Sequence, residues 1–149
     1  MSYLTQKTIK RPVTLEGIAL HSGKNVNVCI KPANPDHGIV FKRIDLKNNN
    51  LIYPNFMNVT NTSLNTTVEN EFGAKVSTIE HLMGALFGMG IDNVLIEINN
   101  EEVPILDGSA KEFIREIMSS GFNISNKPIK IVKINKKIEY SDGERFISI

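Results

Sequence analysis

The chain has 149 residues, 41% of them hydrophobic, with 17 basic and 16 acidic side chains and a formal net charge of +1 at pH 7. That length points to one domain with a self-sufficient core, and the balanced charge argues against a nucleic-acid binder, which needs a basic excess. The lone Cys29 excludes an internal disulfide; the N-terminal decapeptide lacks the apolar stretch of a signal peptide and no run approaches the ~18 apolar residues of a membrane span, so a cytoplasmic location is expected.

Strands come first. Val26, Val28 and Ile30 alternate with Asn27 and Cys29, the period of a half-buried strand. Residues 32–38 (Pro-Ala-Asn-Pro-Asp-His-Gly) form a turn cluster, Ile39–Ile44 is the next strand, and 47–50 is a polar loop. Short strands are expected near Phe56–Val59, Thr66–Glu69 and Lys75–Val76. A helix follows, from about Thr78 to Gly88. Ser77 and Glu80 have the spacing of a capping box, and Ile79, Leu82, Met83, Leu86 and Phe87 recur on one apolar face. Asn93–Ile98 reads as a strand and Pro104–Gly108 as a turn. A second helix is expected from about Ala110 to Ser119. Ser109 and Glu112 repeat the capping-box spacing, while Ala110, Phe113, Ile114, Ile117 and Met118 form its apolar face. Gly121 stands where a C′ glycine belongs. The expected fold class is α+β, a sheet with two helices packed on one face.

The composition shifts at Asn123–Pro128, which reads as a linker. Ile129, Ile131 and Ile134 are expected to open another strand. Lys137–Ser141 and Glu144–Ile149 flank Asp142-Gly143, a hairpin signal. The last strand runs to the final residue without a turn or cap. The expected organisation is therefore an N-terminal α+β domain over 1–124, then a linker and the first strands of a truncated second domain over 125–149.

Three segments could carry chemistry. In the first helix, His81 lies nearly opposite the centre of the apolar stripe, among Gly84, Ala85 and Gly88 rather than among charges. Small residues admit a close surface, either a second layer or ligand on that side or simply the chain's own sheet. An imidazole there can bind a metal or only hydrogen-bond. The adjacent Glu80 points about 100° away. It can take a proton from an activated water or merely complete the capping box. In the second segment, Glu16–Gly23, His21 occupies a Ser-Gly turn, where a histidine can be catalytic or simply solvated. His37, beside Pro35 and Asp36, reads as a turn residue, and Cys29 as a small semi-buried strand residue. In the third, Glu102–Ala110, Asp107 can be a turn residue or can hold a neighbouring active-site loop by accepting backbone N–H bonds.

Taken in order, six motifs resemble one family. They are Gly17-Ile-Ala-Leu-His-Ser-Gly23, Pro32-Ala33, Gly38-Ile-Val-Phe-Lys-Arg43, Ser77-Thr-Ile-Glu-His-Leu-Met83, Gly90-Ile-Asp-Asn93 and Glu102-Val-Pro-Ile-Leu-Asp-Gly-Ser-Ala110. The chain is similar, from about residue 5 onward, to the N-terminal part of the UDP-3-O-acyl-N-acetylglucosamine deacetylases, zinc enzymes of lipid A biosynthesis in Gram-negative bacteria. The resemblance implies two similar α+β domains stacked through their helical layers, with the active site between them. It implies Glu80 as general base, His81 as a Zn2+ ligand, Leu64 and His21 at the substrate side, and Asp107 in a supporting role. Ser63 and Asn65 depart from the family's substrate-side loop and receive no role.

The family's other zinc ligands, a histidine and an aspartate, and its second catalytic histidine belong to the second domain and have no counterpart in this chain. The resemblance thus implies hydrolysis of the acetamide of UDP-3-O-acyl-N-acetylglucosamine by the complete protein, with this chain alone inactive. The missing C-terminal domain would be its natural partner, and self-association through the uncovered surface is expected without it. The rival readings are a non-catalytic sugar-nucleotide or partner-binding module of the same fold, and an unrelated metal hydrolase with the same Glu-His pair.

Overall fold

Apolar–polar alternation builds the central sheet. A computed structural model describes residues 4–149; residues 1–3, part of the segment read for a signal peptide and of the 1–124 domain, lie outside the described residues. The strands before the first helix are β1 (Thr5–Ile9), β2 (Val13–Ile18), β3 (Asn25–Pro32), β4 (Ile39–Arg43), β5 (Leu51–Ile52), β6 (Val59–Asn61), β7 (Thr67–Glu69) and β8 (Lys75–Val76). Helix α1 (Glu80–Gly88), β9 (Val94–Ile98), α2 (Lys111–Ser120), β10 (Phe122–Pro128), β11 (Glu139–Asp142) and β12 (Arg145–Ser148) follow.

Five strands pair in the order β2-β3-β9-β4-β5, with β9 antiparallel to β3 and parallel to β4. The register sets Val28 opposite both Leu15 and Ile98, and Ile96 opposite both Ile30 and Phe41. One face is therefore continuous hydrocarbon, and its residues are buried. The other face is polar: Lys31 Nζ lies 2.6 Å and Lys42 Nζ 3.7 Å from the Glu97 carboxylate, with Cys29 half-buried opposite Glu97. Both helices pack against the apolar face and against each other, Leu82, Ala85 and Leu86 of α1 joining Phe113 and Ile117 of α2 in one buried cluster. This is the expected α+β arrangement. A second sheet, β6-β7-β8, leads into α1.

Several local expectations change. Phe56–Asn58 is a 3₁₀ turn rather than a strand, because the Asn55 side chain accepts the backbone N–H groups of Met57 and Asn58. Neither capping box forms. Ser77 Oγ donates instead to the Glu101 carbonyl, and the Ser109 N–H is taken by Asp107. Helix α1 starts at Glu80, and its buried face turns toward Ala85, leaving Phe87 88% exposed. Met118 of α2 is likewise exposed. Gly121 caps α2 at φ +71 as the pattern predicts.

The segment 123–128 is not a linker. It lies within β10, antiparallel to β1, with Ile9 opposite Phe122 and Thr5 opposite Pro128. Its polar composition suits a ribbon whose side chains meet water while its backbone pairs. Residues 129–138 form no strand. The β11–β12 hairpin forms at Asp142-Gly143, pairs among the described residues only with itself, and is exposed throughout.

Candidate active site

Glu80 and His81 stand side by side at the start of α1. Glu80 Oε1 is 3.8 Å from His81 Nε2, and both side chains are about a third exposed. Glu80 Oε2 accepts the Thr66 N–H at 3.0 Å. The carboxylate thus ties α1 to the loop that carries Leu64. That loop turns because the Ser63 N–H bonds the Asn61 side chain and Leu64 adopts φ +64. Leu64 projects into solvent, 91% exposed.

The small residues around His81 divide. Ala85 belongs to the core. A side chain built at Gly84 or Gly88 would meet nothing within 4 Å. These glycines are therefore not required for packing on the chain's own sheet, and with Phe87 they leave one flank of α1 bare.

His21 sits in the turn after β2. The Gly23 N–H donates to Ala19 O, and Gly23 takes φ +67, a region glycine enters without steric cost. The turn is anchored by Glu102, which is 2% exposed. Glu102 Oε1 accepts the His21 N–H at 2.8 Å and the Thr78 hydroxyl at 3.1 Å, and Oε2 accepts the Ser22 N–H at 2.9 Å. Burial pushes the Glu102 carboxyl up, but these donors outweigh it and hold its pKa below the ordinary range.

Among the described residues Asp107 accepts no hydrogen bond from the His21 turn. It accepts the N–H and hydroxyl of Ser109, contacts that keep its carboxyl low and support the start of α2. The loop-holding carboxylate is Glu102, a residue sequence reasoning did not single out. Its role rests on contacts distant in sequence: an isolated bridge sets Glu102 beside Ser77, and its carboxylate meets residues 21 and 22. The His37 ring meets the neighbouring Gly38 carbonyl, its backbone N–H donates to Asn34 O, and it stands exposed as a turn residue.

Between the His21 turn and the β6–β8 sheet lies a polar cavity of about 480 Å³, lined by His21, Ser22, Asn65, Ser77 and Glu102 among others. It is large enough for a sugar-sized ligand. Among the described residues no group of three His, Cys, Asp or Glu side chains is placed to hold a metal ion. One imidazole does not make a hydrolytic zinc site, which needs about three protein ligands and an open position. The residues of this chain therefore do not fit a zinc ion by themselves.

A family profile described as UDP-3-O-acyl N-acetylglycosamine deacetylase matches residues 6–149. A curated UDP-3-O-acyl-N-acetylglucosamine deacetylase from Teredinibacter turnerae (strain ATCC 39867 / T7901) is 43% identical over 142 residues, which cover 95% of this chain and 46% of that protein. The chain spans about half the length of the curated relative it matches.

Proposed function

This chain belongs to the UDP-3-O-acyl N-acetylglycosamine deacetylase family, and from that premise we propose that it is the N-terminal portion of a cytoplasmic enzyme of lipid A biosynthesis in a Gram-negative bacterium. The complete protein would hydrolyse the acetamide of UDP-3-O-acyl-N-acetylglucosamine, releasing acetate and the free amine. The observation that carries the reading is 43% identity across 95% of the chain, with the adjacent Glu80 and His81 at the open end of α1.

The residues of this chain divide the work. Glu80, one-third exposed and within reach of a solvent-filled flank, takes the proton of the attacking water. His81 would offer its imidazole as one ligand of a Zn2+ ion, and the remaining ligands would have to come from the longer protein. When bound, zinc supplies Lewis-acid polarisation of the acetamide carbonyl. Leu64 offers an apolar contact at the substrate side. His21, which lines the polar cavity, contributes a ring N–H donor to the sugar-nucleotide. The bare flank of α1 receives the second domain's helical layer.

The test uses the longer protein. Glu80→Gln should keep its zinc and lose about a hundredfold or more in kcat, the scale of a general base. His81→Ala should lower zinc content as well. The 149-residue chain alone should show no turnover. Equal zinc loss in both variants, or turnover by the isolated chain, would sink the assignment. A longer protein that binds the sugar-nucleotide without cleaving it would favour the binding-module reading.

A further inference from the structure

We infer that Glu102 is a positioning residue for the deacetylation reaction: one buried carboxylate clamps the His21–Ser22 turn to the backbone leading into the Glu80–His81 helix. This rests on the deacetylase reading above.

The clamp joins segments far apart in sequence, residues 21 and 22 on one side and residue 78 on the other. Oε1 is shared between the His21 N–H and the Thr78 hydroxyl, so a single atom spans both. Backbone bonds reinforce the second side: the Ser77 N–H donates to Glu101 O, and the Val103 N–H to Ser77 O. Thr78 is 2% exposed and holds φ +54. A β-branched residue at positive φ is an outlier that persists only where its surroundings over-determine it. Two residues later the chain places Glu80, whose Oε2 holds Thr66.

A carboxylate is acceptor-only at both oxygens, and all three donors aimed at Glu102 need an acceptor. Among the described residues no cation pairs with it; the donors come from the substrate-side turn and the helix lead-in. Glutamine would set an NH₂ group against one of those N–H donors. The clamp would loosen while the apolar core below remained intact.

Two measurements test this. Amide hydrogen exchange on the 149-residue chain reads the clamp directly. Glu102→Gln should speed exchange at His21 and Ser22 about tenfold or more, the scale of one lost bond to a charged acceptor, while Ile30 and Ile96 in the central sheet stay unchanged. Turnover in the longer protein should fall about tenfold or more at unchanged zinc content, and Glu102→Asp should restore part of it. Should Glu102→Gln fail to fold, Thr78→Val carries the test. It removes the hydroxyl, leaves the buried carboxylate on the turn, and should lower kcat without speeding exchange at His21. Unchanged turnover in these variants, or, for Glu102→Gln, unchanged exchange at the turn or equal acceleration in the central sheet, would overturn the proposal. A wild-type longer protein without turnover overturns the deacetylase reading and the catalytic part of this one, whereas the exchange ratio separately decides whether Glu102 holds the turn.

Discussion

Glu102 is the residue on which the site's polar chemistry converges. Its three donors make the ionised form the one the fold prefers, so its folded pKa lies below the ordinary 4.5. A depressed carboxyl pKa contributes stability that is fully present above the unfolded value and is lost as pH falls through the folded one. The wild-type chain should therefore lose stability on acidification below about 4.5 more steeply than Glu102→Gln, which has no proton to take up. At neutral pH the same substitution leaves a donor facing a donor and should cost about 1–3 kcal/mol. Urea denaturation at neutral pH and near pH 3 checks both statements, and parallel pH dependences for the two proteins would contradict the first. Periodicity did not point to this residue, because its role comes from partners 80 and 81 positions away in sequence.

The two helices differ in how far pattern predicts packing. Helix α2 follows its pattern at the centre: Phe113 and Ile117 are fully buried, and Gly121 ends the helix. Helix α1 does not, since Phe87 sits on the stripe in sequence and in water in the fold. Truncating Phe113 to Ala should cost about 3–5 kcal/mol, because transfer and cavity terms add. Truncating Phe87 to Ala should change stability by about 0.5 kcal/mol or less in this chain. Chemical denaturation of both variants checks the contrast, and a similar large loss in each would show that Phe87 is covered in solution. In the longer protein Phe87→Ala should cost more, if the second domain packs on that flank as proposed.

At the scale of the whole molecule, the β1–β10 ribbon closes the domain, and the chain beyond it stands apart. Every residue from 131 to 149 is exposed, and among the described residues β11 and β12 pair only with each other. A two-stranded hairpin is marginal by itself, and its free edges and exposed Tyr140, Phe146 and Ile147 invite pairing with another copy. Removing residues 131–149 should leave the denaturation midpoint nearly unchanged and reduce concentration-dependent self-association. Sedimentation velocity over a range of concentrations checks this; a large drop in stability on truncation would show that the hairpin docks on the domain. The same organisation would make 125–149 the opening of a second domain, although β10 crosses the proposed boundary at 124 and ties it to β1.

The sequence by itself determined the elements whose information is local. The alternation at Val26, Val28 and Ile30 is the burial pattern of β3, the Asp142-Gly143 pair is the hairpin, and the motif around Glu80 and His81 is the start of α1. These follow from which face a residue occupies at a fixed period, and that period is written in consecutive residues. Only the tertiary structure decided that 123–128 is a strand, that neither capping box closes, and that Glu102 holds the His21 turn. Except at Ser109, whose N–H goes to Asp107 two residues away, a distant group competes for the same hydrogen-bonding partner. β1 offers a pairing edge to β10, Glu101 takes the Ser77 hydroxyl, and Thr78 and His21 converge on one carboxylate oxygen. Which competitor wins depends on chain closure over tens of residues, and no local period records it.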